Sequence, residues 1–339
     1  MGDLRSGRRR RTSRACWKSA RSGCRDRVAE RARRVRSPRS GGQSLGCAID
    51  RHHGFAERSG RTVLRSGRGQ DLPAPAVLQS AARFEGLLTN SPALFEYLLS
   101  LGDDRLVLGH RLSEWCGHGP ILEEDIALAN IALDLIGQAT LFLRLAGKVE
   151  GKGRDEDQLA YFREAIEFRN LQLVELPKGD FAFTTVRQFL FDVYSYHVLE
   201  FLQQSQNRDV AGIAAKAFKE VRYHVRHSSE WVARLGDGTE ESHGRAQRAL
   251  DDLWRFTPEI FRADQVDRDL IQSAIVPDPA AIEPKWRSVV TDVLKRSTLA
   301  IPPEVPMITS GRDGYHTEFL GRMLSEMQIV ARSHPGAAW

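Results

Sequence analysis

One apolar stretch, residues 121–145, constrains the fold of this chain more than any other feature of its sequence. It could form about seven turns of helix, and it is apolar on nearly every side, so we expect it to be packed among other helices. A polar row interrupts it, because Asn130, Asp134 and Gln138 follow one another at intervals of four residues. Helical bundles build carboxylate-bridged metal centres on inward polar rows of this kind.

The chain from residue 92 onward predicts helices almost throughout, and no run with the two-residue alternation of a strand stands out. We expect an interruption or a bend near 102–104 and the end of the second helix at Gly147. The predicted helices cover 93–116, 122–146, 156–176, 184–204, 210–235 and 240–262, with shorter ones near 267–274, 284–298 and 316–333. The sequence therefore predicts an all-α fold.

The charge of the chain is divided between two unlike parts. Residues 1–70 contain 20 basic and 5 acidic residues, a formal charge of +15, whereas the remainder contains 29 basic and 39 acidic residues, a charge of −10. The first part is rich in Arg, Ser and Gly and poor in large apolar residues, so it cannot bury enough surface to fold alone. We expect residues 1–87 to be a disordered basic tail and residues 88–339 to be one helical domain.

Four interpretations of the basic tail remain open at this stage. It could be a solvated disordered extension, an arm that binds nucleic acid, an organelle transit peptide, or upstream coding sequence joined by a misplaced start. Its arginine runs lack amphipathic spacing, and no aromatic residues alternate with them to stack on bases. We therefore favour a segment without a role in the chemistry, and nucleic acid is not an expected partner.

Two further features concern location. The stretch 126–145 is long enough to suggest a membrane span, but Asp134 at its centre argues against one. Cys116 is the single cysteine outside the basic tail, so this domain cannot form an internal disulfide, which suits a reducing compartment. We expect a cytoplasmic protein that does not contact a membrane.

A di-iron carboxylate bundle needs two Glu-x-x-His motifs on facing helices and one further Glu from each of the other two helices. The only pair with this spacing is Glu240 and His243, next to two glycines at a predicted loop-to-helix junction. We interpret it as a chance match, because such ligands belong in the centre of a bundle.

The positions where the motifs belong carry aliphatic residues. His224 lies on the apolar side of its predicted helix, but Val221 stands three residues before it. On the second helix the matching pair is Leu135 and Gln138, again with an aliphatic residue in place of the acid. We therefore expect these four positions to be vestigial, and we predict no metal, no bound cofactor and no catalytic residue in this chain.

Several alternatives stay open. His224 could be a core histidine bonded to a neighbour, and Asp134 could either steady the bundle or reach the active site of a partner. A self-sufficient oxidase would need a different ligand set, such as Asp134, Glu164 and His224. The basic side of the helix over 210–235 is expected to be solvated, although it could also meet the phosphates of a CoA ester.

Eight segments spread over the domain are distinctive: Leu101-Gly-Asp-Asp, Leu112-Ser-Glu-Trp-Cys-Gly-His118, Leu128-Ala-Asn-Ile-Ala-Leu-Asp134-Leu-Ile-Gly-Gln138, Phe168-Arg-Asn-Leu, Leu173-Val-Glu-Leu-Pro177, Ala215-Lys-Ala-Phe-Lys-Glu-Val-Arg-Tyr-His224, Leu253-Trp-Arg-Phe256 and His316-Thr-Glu-Phe-Leu-Gly-Arg-Met-Leu-Ser-Glu-Met-Gln328. Together they resemble the C subunits of bacterial phenylacetyl-CoA epoxidases. The signature residues, for which we expect structural roles, are Glu114, Trp115, His118, Asn130, Asp134, His224 and His316.

The resemblance implies a ferritin-like helical bundle with extra C-terminal helices. It implies a non-catalytic structural subunit that scaffolds a homologous catalytic A subunit, and the di-iron centre would belong to that A subunit. A partner reductase with FAD and an iron–sulfur cluster would supply electrons from NADPH. The complex would epoxidise phenylacetyl-CoA in phenylacetate catabolism, together with the other epoxidase subunits.

Overall fold

The computed structural model describes residues 91–262, 268–305 and 310–337. Within these ranges the chain forms ten α-helices and no strand, which confirms the all-α prediction. The helices are α1 (Pro92–Ser113), α2 (Leu122–Glu150), α3 (Glu156–Tyr161), α4 (Gln172–Glu175), α5 (Phe181–Leu202), α6 (Arg208–Gly236), α7 (Glu240–Trp254), α8 (Arg268–Gln272), α9 (Pro279–Arg296) and α10 (Glu318–Ser333). Short 3-10 helices cover Ala165–Glu167, Thr257–Phe261 and Gly311–Asp313. The predicted tail, 1–87, lies outside the described residues.

Two helical hairpins form the bundle. In the first, α1 packs antiparallel on α2, and in the second, α5 packs antiparallel on α6. Side-chain bonds join the hairpins: Arg105 of α1 donates to Ser195 of α5, and His224 of α6 bonds to Asp134 of α2. The order is therefore up, down, down, up, with one long connection between α2 and α5. One long crossover is the topology of ferritin-like bundles, so the fold prediction is confirmed.

The ends of the long helices have local causes. Ser91 caps α1 through its hydroxyl, and Pro92 follows at the first helical position, where its missing N–H costs nothing. Asp180 caps α5 and Asn207 caps α6, each through a side-chain oxygen that accepts from backbone N–H groups of the first turn. At the other end of α2, Gly151 adopts a left-handed conformation with φ of 70° and ends the helix.

The structure corrects two predictions for the first hairpin. No interruption occurs near 102–104, because α1 is continuous and Gly102 instead lets α2 approach: a Cβ at this position would lie 2.7 Å from Leu143. The second helix does not end at Gly147 but continues to Glu150. A side chain at Gly147 would collide with the carbonyl of Arg154, so close packing requires this glycine.

The connection between the hairpins, residues 151–180, is called the crossover below. Its structure contradicts the predicted helix over 156–176. It contains only α3, one 3-10 helix and the four residues of α4. Buried carboxylates of α1 hold its extended backbone: Asp103 accepts from the N–H of Arg169 at 2.8 Å, and Asp104 accepts from the N–H of Leu171 at 2.8 Å. Arg163 forms a buried ion pair with Asp103. These bonds replace the helical ones that the segment would otherwise make.

The C-terminal region fixes the same connection from the other side. Glu259 is buried and accepts from the backbone N–H of Gln172 at 2.8 Å and of Gly311 at 2.7 Å. Arg312 donates to Asp104 at 2.7 Å. Burial raises the pKa of Glu259 to about 7, against the effect of its hydrogen bonds and of the nearby guanidinium of Arg312.

The predicted extra C-terminal helices are present, and two of them pack against the second hairpin. Helices α7 and α9 contact α5, and Trp286 of α9 is fully buried, with its indole N–H donating to the carbonyl of Leu190 at 2.9 Å. The predicted helix over 240–262 ends earlier, at Trp254. A separate 3-10 helix begins at Thr257 with Pro258 in its first turn, because proline has no N–H to continue an α-helix.

Candidate functional site in the bundle centre

The bundle centre between α2 and α6 is hydrocarbon at the positions where metal-bridging acids would stand. Leu135 is fully buried on α2, and Val221 is equally buried on α6. His224 follows one turn after Val221 and is also completely buried. The inward orientation predicted for these three side chains is therefore correct.

His224 is bonded to Asp134 through one of its two ring nitrogens. Its Nε2 lies 3.0 Å from Oδ2 of Asp134, and because an ionised carboxylate only accepts, this nitrogen carries the proton. Nδ1 has no hydrogen-bond partner among the described residues. Asp134 is only partly buried, with 39% of its side chain exposed. The pair therefore runs from the bundle interior to its surface.

Gln138 joins the centre to a buried cation. Its Oε1 accepts from Nε of Arg105 at 2.9 Å, and its Nε2 donates to Glu220 at 2.9 Å. The Arg105 guanidinium is fully buried and also donates to Ser195 at 2.9 Å and to the carbonyl of Leu101 at 2.9 Å. A buried guanidinium is thus bonded to Gln138, one of the four positions that the sequence predicts to be vestigial.

Asp192 of α5 supplies a second buried carboxyl. It accepts from Nε2 of Gln188 at 2.7 Å and from the hydroxyl of Ser228 at 2.8 Å. Burial raises the pKa of Asp192 to about 6, and the nearby His224 and these two hydrogen bonds oppose that rise only in part. The acid is therefore largely neutral below pH 6.

This donor set does not fit a di-iron centre. Iron of this class needs several carboxylates that bridge and bind the metals together with imidazole. Within 91–262, 268–305 and 310–337, no three His, Cys, Asp or Glu side chains are grouped so that they could hold a metal ion. The centre offers one imidazole, His224, and one buried carboxyl, Asp192, whereas Leu135 and Val221 offer no donor atom.

The polar row on α2 is not wholly inward, which corrects the sequence analysis. Each step of four residues turns a helix by about 40° beyond a full turn. Over two steps the row passes from exposed Asn130 through half-exposed Asp134 to buried Gln138. Only its last member belongs to the interior.

The alternative ligand set is not brought together. Asp134 and His224 are in contact, but Glu164 lies on the surface at the start of a 3-10 helix. Its side chain is 70% exposed and pairs with Arg332 at 2.8 Å. An oxidase built on these three residues would need Glu164 to leave this position.

The other signature residues lie apart from the centre. Trp115 is buried at the end of α1 and donates from its indole to Thr184 at 3.0 Å, whereas Glu114 accepts from Arg111 at 2.7 Å. His118 is exposed in the following loop. His316 bonds to Glu175 on the crossover. The Trp115 bond joins the end of α1 to α5, and the His316 bond joins the C-terminal region to the connection over 151–180.

Sequence reasoning missed Arg105, Asp192 and Glu220. One signal was available: Asp103, Asp104 and Arg105 are three consecutive charges inside an apolar helix, and charges are rarely buried without partners. Their partners lie far away along the chain, so spacing alone could not supply them.

Helix α2 is also long and apolar enough to cross a membrane, judged by length and composition alone. Core helices of proteins without a membrane domain meet the same criterion. Here one side of α2 packs on α1 and α6, and its middle carries Asp134.

Fold and site together define a ferritin-like helical protein whose described bundle centre lacks a set of metal ligands. Residues 85–339 match the family described as phenylacetic acid catabolic protein, and the chain belongs to this family. It is 47% identical, over 246 residues, to the C subunit of the 1,2-phenylacetyl-CoA epoxidase of Escherichia coli K12. That alignment covers 73% of this chain and 99% of the relative. The resemblance predicted from the sequence is confirmed, and the chain takes part in phenylacetate catabolism.

Proposed function

We propose that this chain is a non-catalytic structural subunit of a multicomponent phenylacetyl-CoA 1,2-epoxidase. The observation that carries the proposal is the bundle centre, where Leu135 and Val221 are buried at the positions that need acids. The 47% identity to a C subunit of that enzyme supports it. The chain binds no cofactor in this proposal and works in the cytoplasm.

Its role is to scaffold a homologous catalytic A subunit, which holds the di-iron centre. Electrons come from NADPH through the FAD and iron–sulfur groups of a partner reductase, and phenylacetyl-CoA is the substrate of the whole complex. The residues of this chain supply rigidity: the network from Arg105 through Gln138 to Glu220 joins α1, α2 and α6. A hydrogen-bonded network that reaches into the core in this way favours one arrangement of the helices.

Metal analysis of separated subunits tests the proposal. The chain is produced alone and together with the other epoxidase subunits, and iron and epoxidation of phenylacetyl-CoA are measured for each preparation. We expect no stoichiometric iron and no epoxidation with the chain alone. We expect the other subunits to lose activity when the chain is omitted and to recover it when purified chain is added.

Two histidine variants provide the control. His224 lies in the bundle centre, whereas His243 bonds to the carbonyl of Gly236 at the start of α7. In the proposal, neither His224→Ala nor His243→Ala changes the iron content of an assembled complex. Two irons per isolated chain, lost in His224→Ala and kept in His243→Ala, would contradict the proposal and favour a self-sufficient oxidase.

A further inference from the structure

No other part of the described chain covers the outward face of α2. This face consists of Leu122, Ile126, Asn130, Leu133, Asp134 and Gly137. Its large apolar side chains are well exposed: Leu122 at 71%, Ile126 at 53% and Leu133 at 66%. They lie within about 40° of one another around the helix, because their spacing is four and seven residues. Clustered apolar exposure of this kind marks interaction sites.

Gly137 adds an independent observation on the same face. A glycine inside a helix costs about 0.5–1 kcal/mol relative to alanine. Its backbone is not in a left-handed conformation, and a Cβ built at this position would meet no atom within 4 Å. Nothing in the described part of the chain needs a glycine here, whereas a second helix lying across this point could approach closely.

Asp134 determines which charge a protein bound to this face of α2 must carry. It is the only charged residue of α2 between 126 and 143. His224 bonds to Oδ2 from the interior and fixes the carboxylate at the edge of the apolar patch. If an apolar surface covered this carboxylate without a cation, the desolvation cost would be several kcal/mol. An arginine or lysine opposite it would remove most of that cost.

We propose that the outward face of α2 docks a helix of another epoxidase subunit, which places small or aliphatic side chains over Leu133 and Gly137 and one arginine or lysine against Asp134. This inference rests on the proposed function, because it takes the partner from the complex. A second copy of this chain is the poorer occupant, since symmetric pairing through this face brings two Asp134 carboxylates together, and like charges across an interface are unfavourable.

Gly137→Leu gives a direct test that does not depend on disrupting the fold. The new side chain enters open space in the free chain, so the melting temperature should not fall. Gly321→Leu is the matched control, because Gly321 also lies at an exposed position inside a helix, α10, and a Cβ there would meet no atom within 4 Å. The dissociation constant is measured between each full-length variant and the remaining purified epoxidase subunits.

We expect Gly137→Leu to raise the dissociation constant by about tenfold or more, as overpacking a close contact does, while Gly321→Leu leaves it unchanged. We expect Asp134→Asn to raise it by a similar factor, in a salt-dependent way. Its control is Asp252→Asn, a change at an exposed acid of α7.

The outcomes separate this inference from the proposed function. If the wild-type chain binds no other subunit, both are wrong. If it binds and both Gly137→Leu and Asp134→Asn bind equally well, the docking face is wrong while the structural role stands. If only Asp134→Asn is without effect, the cation is wrong. A dimer of the chain alone that Gly137→Leu disrupts, with unchanged binding to the other subunits, would assign the face to a second copy.

Discussion

Replacement of Asp192 by asparagine should change how the stability of the domain depends on pH. The folded-state pKa of Asp192 is about 6, because burial disfavours the charged form, and its ordinary value is 3.8. Between these two values the unfolded chain has lost the proton and the folded chain still holds it. The free energy of unfolding of the wild type therefore falls as pH rises through this window, and the loss is complete above pH 6.

The magnitude follows from the width of the window. A difference of about 2 pH units at about 1.4 kcal/mol per unit gives roughly 3 kcal/mol. Asparagine at position 192 does not titrate and keeps the existing contacts: its carbonyl accepts from Gln188, and its amide can donate to the Ser228 hydroxyl, which already lies 2.9 Å from the carbonyl of His224. The variant should match the wild type near pH 4 and exceed it by about 3 kcal/mol above pH 7.

Urea unfolding of both proteins at several pH values between 4 and 8 measures this difference. Comparing the two proteins cancels the contribution of Glu259, whose pKa is raised to about 7 and which titrates in both. Asp252→Asn serves as the control, because this acid is exposed. A stability difference between Asp192→Asn and the wild type that is the same at every pH would refute the reasoning.

Two further predictions concern packing and ion pairs. Asp103→Asn removes the negative charge that faces the buried guanidinium of Arg163, so thermal or chemical unfolding should show a loss of about 3–5 kcal/mol. No loss would mean that the crossover is not held by this pair. Gly102→Ala places a Cβ 2.7 Å from the buried Leu143 and should destabilise by about 1–3 kcal/mol, whereas Gly137→Ala enters open space and should stabilise by about 0.5–1 kcal/mol. Equal effects of the two alanines in denaturant unfolding would contradict the packing assigned to Gly102.

Helical periodicity was sufficient to place the bundle centre. The turn of 100° per residue fixes which side chains share one side of a helix, so Leu135, Val221 and His224 could be assigned to the interior, and all three are buried. The same rule, followed over eight residues, also explains the error at Asn130. A spacing of four drifts by about 40° at each step, and the row leaves the interior.

The crossover could not be predicted from local sequence. Its residues are compatible with a helix, and a helix was expected over 156–176. Its course depends instead on carboxylates that are distant along the chain, such as Asp103 with the N–H of Arg169 and Glu259 with the N–H of Gln172. Burying these acids is favourable only when all their partners are in place, and that condition belongs to the tertiary structure.

The apolar residues of α2 lie on two sides of the helix, and the two sides have different surroundings. Leu128, Ile131 and Leu135 are buried against the helices of the same chain, whereas Ile126 and Leu133 on the opposite side are exposed. Sequence alone treats both sides alike, and it therefore predicted a helix surrounded by its own domain. A helix that is apolar all round but half covered by its own chain fits a protein that is completed by another subunit. In the docking that we propose, Asp134, fixed from the interior by His224, then requires a cation from that subunit.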